Sequence, residues 1–152
     1  MYYRRKCGED VKMSKQKILF ICSANVNRSK TAELIFKQEF DTKSAGFYCE
    51  DSDKTNKMNS DLANWADIIF VFERDHILRM KALFPTFYGF KKIVSLEIPD
   101  IYKCMSEQLV DRITWKMNAC LSFLNTHSLQ RNVLEYHELE EISEGNMKRI
   151  SE

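Results

Sequence analysis

Residues 17–33 read KILFICSANVNRSKTAE. Ile18 to Cys22 form an unbroken apolar run, the pattern of a parallel strand buried on both faces. A short polar loop follows. From Ser29 the spacing turns helical, with Ala32, Ile35 and Phe36 on one side. Strand, loop and helix in immediate succession are the first half of a βαβ unit. The thiol of Cys22 stands at the carboxyl end of the strand.

Working outward, TKSAG (42–46) predicts a second strand ending at Gly46, and the polar FYCEDSDKTNKMNS (47–60) reads as partly loop. A short helix is expected over Asp61–Ala66, then a buried strand in DIIFVF (67–72) and a helix in ERDHILRMKALF stopped by Pro85. KKIVSLEI (91–98) reads as a fourth strand, ended by Pro99. Ser106 suits the N-cap of a last helix with Leu109, Ile113, Met117, Cys120, Leu121 and Leu124 on one face. This alternation predicts a three-layer α/β/α fold on a four-stranded parallel sheet. Ligands of such sheets sit beyond the carboxyl ends of the strands, where the strand order reverses. Cys22 and Asp100 both lie just past such ends, on one rim.

The 152 residues suffice for one ordinary domain, and a composition 44% apolar and 30% charged is that of a globular chain. A formal charge of +1 provides no global field for nucleic acid or a membrane surface. Any bound anion must be held locally. Residues 1–16 lack apolar periodicity and read as a flexible lead-in, residues 17–130 as the domain, and residues 131–152, with six Glu, as an acidic tail. The start lacks the apolar core of a secretory signal. Cys7, Cys22, Cys49, Cys104 and Cys120 are odd in number and not spaced as a metal clasp, so free thiols in a reducing cytoplasm are expected.

The Cys22–Arg28 loop has the parts of an anion cradle. A loop entering a helix points backbone N–H groups and the positive end of the helix dipole into one space, which favours a phosphate or a thiolate. Arg28 adds a planar fork able to grip two phosphate oxygens. Ser29 is placed to cap N–H groups or to give its hydroxyl to a thiolate. The loop contains no glycine, so Asn25 and Asn27 are expected to take any positive φ it needs. It is not a nucleotide P-loop, since the Gly-Lys-Ser/Thr ending is absent.

FICSANVNRSKTAELIF (20–36) resembles the signature of the low-molecular-weight protein tyrosine phosphatases, a strand leading through Cys-x5-Arg-Ser into a helix. The likeness continues through SAG (44–46), WADIIFVFERDH (65–76) and IPDIY (98–102), covers residues 17–125, and is nearest to a compact bacterial-type branch. It implies a phosphotyrosine or aryl phosphate monoesterase working through a phosphocysteine on Cys22. Arg28 and the backbone of Ser23, Ala24, Asn25, Val26, Asn27 and Arg28 would hold the phosphoryl oxygens. Asn25 would stabilise the loop and Ser29 support the thiolate. Asp100 matches the family's general acid, with Glu97 the reserve and Asp75 a weaker third. Many members have Asp-Pro at this point, where this chain has Pro99-Asp100. A second loop cysteine of many members is Asn27 here, and the usual proline after the serine is Lys30.

Phe47, Tyr48 and Tyr102 are candidates for the substrate pocket wall. His76 reads as an exposed helix residue and Cys120 as packing. The expected partner is a phosphotyrosine-containing protein or a small aryl phosphate, and no residue calls for a metal or cofactor. Two other functions fit parts of the pattern. One is a phosphate- or phosphotyrosine-binding module that has lost turnover. The other is arsenate reduction, which needs relay cysteines after the third strand, where residues 50–103 hold none.

Overall fold

The computed structural model describes residues 2–6, 9–13 and 15–126. The acidic tail expected over 131–152 lies outside them. Within the expected lead-in, β1 (Tyr2–Lys6) pairs antiparallel with β2 (Glu9–Met13), apart from the main sheet. Main-chain pairing of two strands needs no apolar periodicity, which is why composition does not announce it; such a ribbon adds little stability alone.

The main sheet contains β3 (Lys17–Cys22), β4 (Asp41–Gly46), β5 (Ile68–Val71) and β6 (Lys92–Ser95), all parallel in the order β4-β3-β5-β6. The chain leaves β3 through α1 (Arg28–Phe36) to β4 on one side. It then returns through α2 (Ser60–Trp65) to β5 on the other side. The order thus reverses at β3, and the crevice at its carboxyl end is the position such sheets use for ligands.

Alternation along β3 serves two cores. Ile18, Phe20 and Cys22 face a cluster with Ala32 and Phe36 of α1 and with Leu109, Ile113, Met117 and Cys120 of α5 (Glu107–Thr126). Leu19 and Ile21 face the opposite layer, with Ala63 of α2 and with Ile77 and Met80 of α3 (Arg74–Leu83). Both faces are covered, so every apolar residue of the run is buried. Burial pushes the Cys120 thiol up to about 12.

Two expected elements change. Pro85 does not merely stop a helix: it opens a new one, α4 (Pro85–Phe90), at a first-turn position where its missing N–H costs nothing. The fourth strand ends at Ser95 rather than running through Ile98. Glu97 has φ 51, which breaks the extended backbone, while the Leu96 and Ile98 amides still donate to Val71 and Phe72 carbonyls at 2.8 and 2.9 Å. No helix among the described residues is long and apolar enough to cross a membrane.

Candidate active site

Cys22 ends β3 with its side chain buried, and Ser29 Oγ lies 2.9 Å from its Sγ. Asn25 organises the turn between them. Its φ is 55, and its amide nitrogen donates to Ser29 Oγ and to Ser44 Oγ, both at 2.9 Å. Its amide oxygen accepts from the Asn56 N–H at 2.8 Å. Because Ser29 Oγ already accepts from Asn25, its own proton is free for Cys22 Sγ. Ser44 in turn donates to Glu33 at 2.8 Å. Two donor hydrogens and one acceptor are thereby all used, which fixes the orientation of the amide. Asn27 departs from its expected role, with φ −105. One left-handed residue suffices for this turn, and Asn27 instead uses its side-chain oxygen to accept from the Cys104 N–H at 3.0 Å.

The end of β4 presses on the loop from the side. The Phe47 and Tyr48 amides donate to the Cys22 and Ser23 carbonyls at 3.1 and 2.8 Å. A Cβ on Gly46 would lie 2.8 Å from both Asn25 N and Ser23 O, closer than real contacts allow. Gly46 therefore lets strand and loop backbones approach.

Arg28 opens α1 and is 1% exposed. Its Nη1 donates to Glu73 Oε1 at 2.7 Å and to the Ile98 carbonyl at 2.9 Å, and its guanidinium lies over the Phe72 ring. Nη2 reaches Ser23 Oγ at 3.5 Å. Nε is buried without a hydrogen-bond partner, with Asp100 Oδ1 3.7 Å away as an ion pair. The edge formed by Nε and Nη2 is thus the side of the fork that remains for an anion, the other being held by Glu73 and Ile98.

Asp100 is half exposed and faces Arg28. Glu97 turns elsewhere: its Oε1 accepts from Ser95 Oγ at 2.6 Å and stands 4.0 Å from Arg74 Nε. Asp75 is exposed in the first turn of α3. His76, expected on the surface, is 1% exposed. Its Nδ1 accepts from the Phe72 N–H at 3.2 Å, so the ring proton belongs on Nε2, which donates to Ser23 Oγ at 3.0 Å. Burial first, and then the Arg28 charge, hold its pKa down at about 4 against the opposing pull of Glu73. The imidazole is neutral at pH 7.

The pocket residues divide. Phe47, expected on the wall, is buried against His76 instead, because successive residues past Gly46 point to opposite sides. Tyr48 is 56% exposed and its hydroxyl accepts from Arg79 Nε. Tyr102 is half buried against the core and, with Ile101, Lys103, Ser106 and Gln108, lines a cavity of about 330 Å³ beside Asp100. Val26 and Ile101 are exposed apolar residues of the loop and of the Asp100 segment.

Glu73, Ser44 and Asn56 take part in the site although nothing expected from the sequence put them there. Glu73 carried a usable signal, since it follows the third strand on the rim already marked by Cys22 and Asp100. Asn56 had none, lying in a polar loop among similar residues. Among the described residues no group of three or more His, Cys, Asp or Glu side chains converges as metal ligands.

The same fold occurs in solved structures. The tyrosine phosphatase AmsI of Erwinia amylovora is 23% identical, with 75% of this chain covering 94% of that one at a TM-score of 0.56. A low-molecular-weight protein tyrosine phosphatase from T. tengcongensis is 15% identical, with coverages of 74% and 99% and a TM-score of 0.55. The fold is that of the low-molecular-weight tyrosine phosphatases. YwlE, an arginine phosphatase from Geobacillus stearothermophilus, shares this phosphatase fold at 19% identity, with coverages of 74% and 98% and a TM-score of 0.52. No protein-family model matches the chain, and no curated protein sequence matches it.

Proposed function

We infer that this chain is a phosphatase of aryl phosphate monoesters, with phosphotyrosine as its substrate class. The observation that carries this reading is the buried, unpartnered Nε of Arg28, in the loop that begins at Cys22, with the Asp100 carboxylate beside it. An orphan donor on a fixed cation is costly unless an anion arrives to accept from it. Phosphoryl transfer needs chiefly positioning and charge stabilisation, which the Arg28 edge and the loop amides supply.

In the first step the Cys22 thiolate attacks phosphorus in line. The S–P bond forms, the P–O bond to the aryl group breaks, and Asp100 gives its proton to the departing oxygen. Ser29 steadies the sulfur's negative charge beforehand. In the second step the Asp100 carboxylate takes a proton from water, whose oxygen attacks phosphorus. The S–P bond breaks and inorganic phosphate leaves, returning Cys22 to the thiolate.

Val26 in the loop and Ile101 next to Asp100 are exposed apolar side chains, which favour an aryl group over a charged one. YwlE acts as an arginine phosphatase on the same fold, so phosphoarginine is the informative competitor. The test is turnover of p-nitrophenyl phosphate, a phosphotyrosine peptide and phosphoarginine, in mildly acidic buffer, by the natural chain, Cys22→Ser and Asp100→Asn. Hydrolysis of the two aryl substrates, abolished by Cys22→Ser and slowed on the peptide by Asp100→Asn, is expected. Preferred hydrolysis of phosphoarginine overturns the substrate class. Phosphate binding with no turnover leaves a binding module.

A further inference from the structure

The segment that carries Asp100 is tied down at both ends. At its start, the Ile98 amide donates to the Phe72 carbonyl at 2.9 Å and the Ile98 carbonyl accepts from Arg28. Residues 99–101 are then exposed. At its end two side chains of the loop and α1 take hold of backbone amides. Asn27 Oδ1 accepts from the Cys104 N–H at 3.0 Å, and Thr31 Oγ1 accepts from the Met105 N–H at 2.9 Å. Thr31 Oγ1 also donates to the Asn27 carbonyl at 2.8 Å, which joins the two holds into one unit.

The backbone of this segment makes one turn of its own, at its far end, where the Ser106 amide donates to the Lys103 carbonyl at 3.1 Å. Glu97 and Met105, which bracket it, have φ of 51 and 59, a region that non-glycine residues enter only at a cost. No regular strand or helix lies between them. That turn shapes residues 103–106 but does not tie them to the rest of the fold, and Asn27 and Thr31 make the contacts that do so at the Met105 end. Both belong to the structure that carries Arg28, so the acid and the anion-binding fork share one mount.

We propose that Asn27 and Thr31 form a latch that positions Asp100 over the leaving-group side of the Cys22–Arg28 loop. They are positioning residues: neither side chain touches the reacting atoms. Position 27 thus has a task of its own in this chain, holding the acid segment. The inference rests on the phosphatase reading, because it concerns delivery of the proton in that reaction. With the latch open, Asp100 spends less time within reach of the leaving oxygen. A good leaving group such as p-nitrophenolate hardly needs the proton, whereas phenolate does.

The test compares turnover of phenyl phosphate and p-nitrophenyl phosphate by the natural chain, Thr31→Val and Thr31→Ser, with and without Asp100→Asn. Thr31→Val keeps the shape and removes the acceptor. It is expected to slow phenyl phosphate by about tenfold and p-nitrophenyl phosphate by no more than about threefold. Thr31→Ser should restore the ratio, and in the Asp100→Asn chain Thr31→Val should add no further loss. Hydrogen exchange at the Met105 amide should quicken in Thr31→Val. Equal losses on both substrates, additive losses over Asp100→Asn, or unchanged exchange at Met105 would overturn the latch while leaving a phosphatase. A natural chain that hydrolyses neither substrate overturns the phosphatase reading, and the latch with it.

Discussion

Asn25 spends every hydrogen-bonding group of its side chain on neighbours within the site, and does so in a left-handed backbone that asparagine tolerates better than most residues. Asn25→Ala removes three bonds, leaving the Asn56 N–H without its acceptor and taking one of two contacts from each of the Ser29 and Ser44 hydroxyls. Two effects are expected: loss of about 2–3 kcal/mol of stability, read from denaturant midpoints, and a fall in kcat larger than any change in KM. Gly46 is equally constrained, by backbone atoms rather than by bonds. Gly46→Ala puts a methyl group 2.8 Å from two main-chain atoms of the loop, neither free to move like a side-chain end. Phosphate affinity, followed by titration with inorganic phosphate, should weaken by at least about tenfold, since donors placed within a few tenths of an ångström are what the cradle consists of.

His76 belongs to the scale of the element, because it ties α3 to the loop through Ser23 and to the end of β5 through Phe72. Its pKa is about 4 when folded against 6.5 ordinarily. Between those values the unfolded chain binds a proton that the folded chain refuses. Stability from this group is therefore complete above about pH 6.5 and declines as pH falls towards about 4. Denaturant midpoints measured across that window should drop less steeply for His76→Asn than for the natural chain; equal slopes would show that the imidazole is not held neutral. Glu73 acts from the same turn, at the N-cap of α3, by holding Nη1 of Arg28. Glu73→Gln keeps a hydrogen-bond acceptor and removes the charge. Its expected mark is a higher KM with kcat less affected, as a neutral acceptor holds the guanidinium less firmly than a carboxylate does.

Across the whole molecule, the two cores meet at β3, and Phe20 is central to one of them. Its ring stacks on Phe36 at 6.2 Å and on Phe70 at 5.8 Å between centroids. Phe20→Ala should cost about 3–5 kcal/mol, measured by chemical denaturation. This layer structure was legible from residues alone because it rests on periodicity: buried parallel strands announce themselves as apolar runs, and α1 and α5 as stripes. The Cys22–Arg28 loop was legible because its parts are adjacent in the chain. What escaped was contact at long separation. Glu73 meets Arg28 across 45 positions and His76 meets Ser23 across 53, and no local pattern encodes either meeting. The orientation of Phe47 was missed for a related reason, since a residue just past a strand end can face either side until its packing is known. Glu97 and Asp100, three positions apart, could be separated only by the left-handed turn at Glu97.

The burial of Cys120 has a practical side. A thiol whose pKa burial raises to about 12, on the inward face of α5, is almost wholly protonated at neutral pH, and reagents meet it only when that helix lifts away. Cys104 is exposed and reacts from the native state. Timed alkylation followed by mass spectrometry would then give two clocks in one sample. The fast clock reports the surface beside the Asp100 segment, and the slow one counts how often α5 lifts off the core.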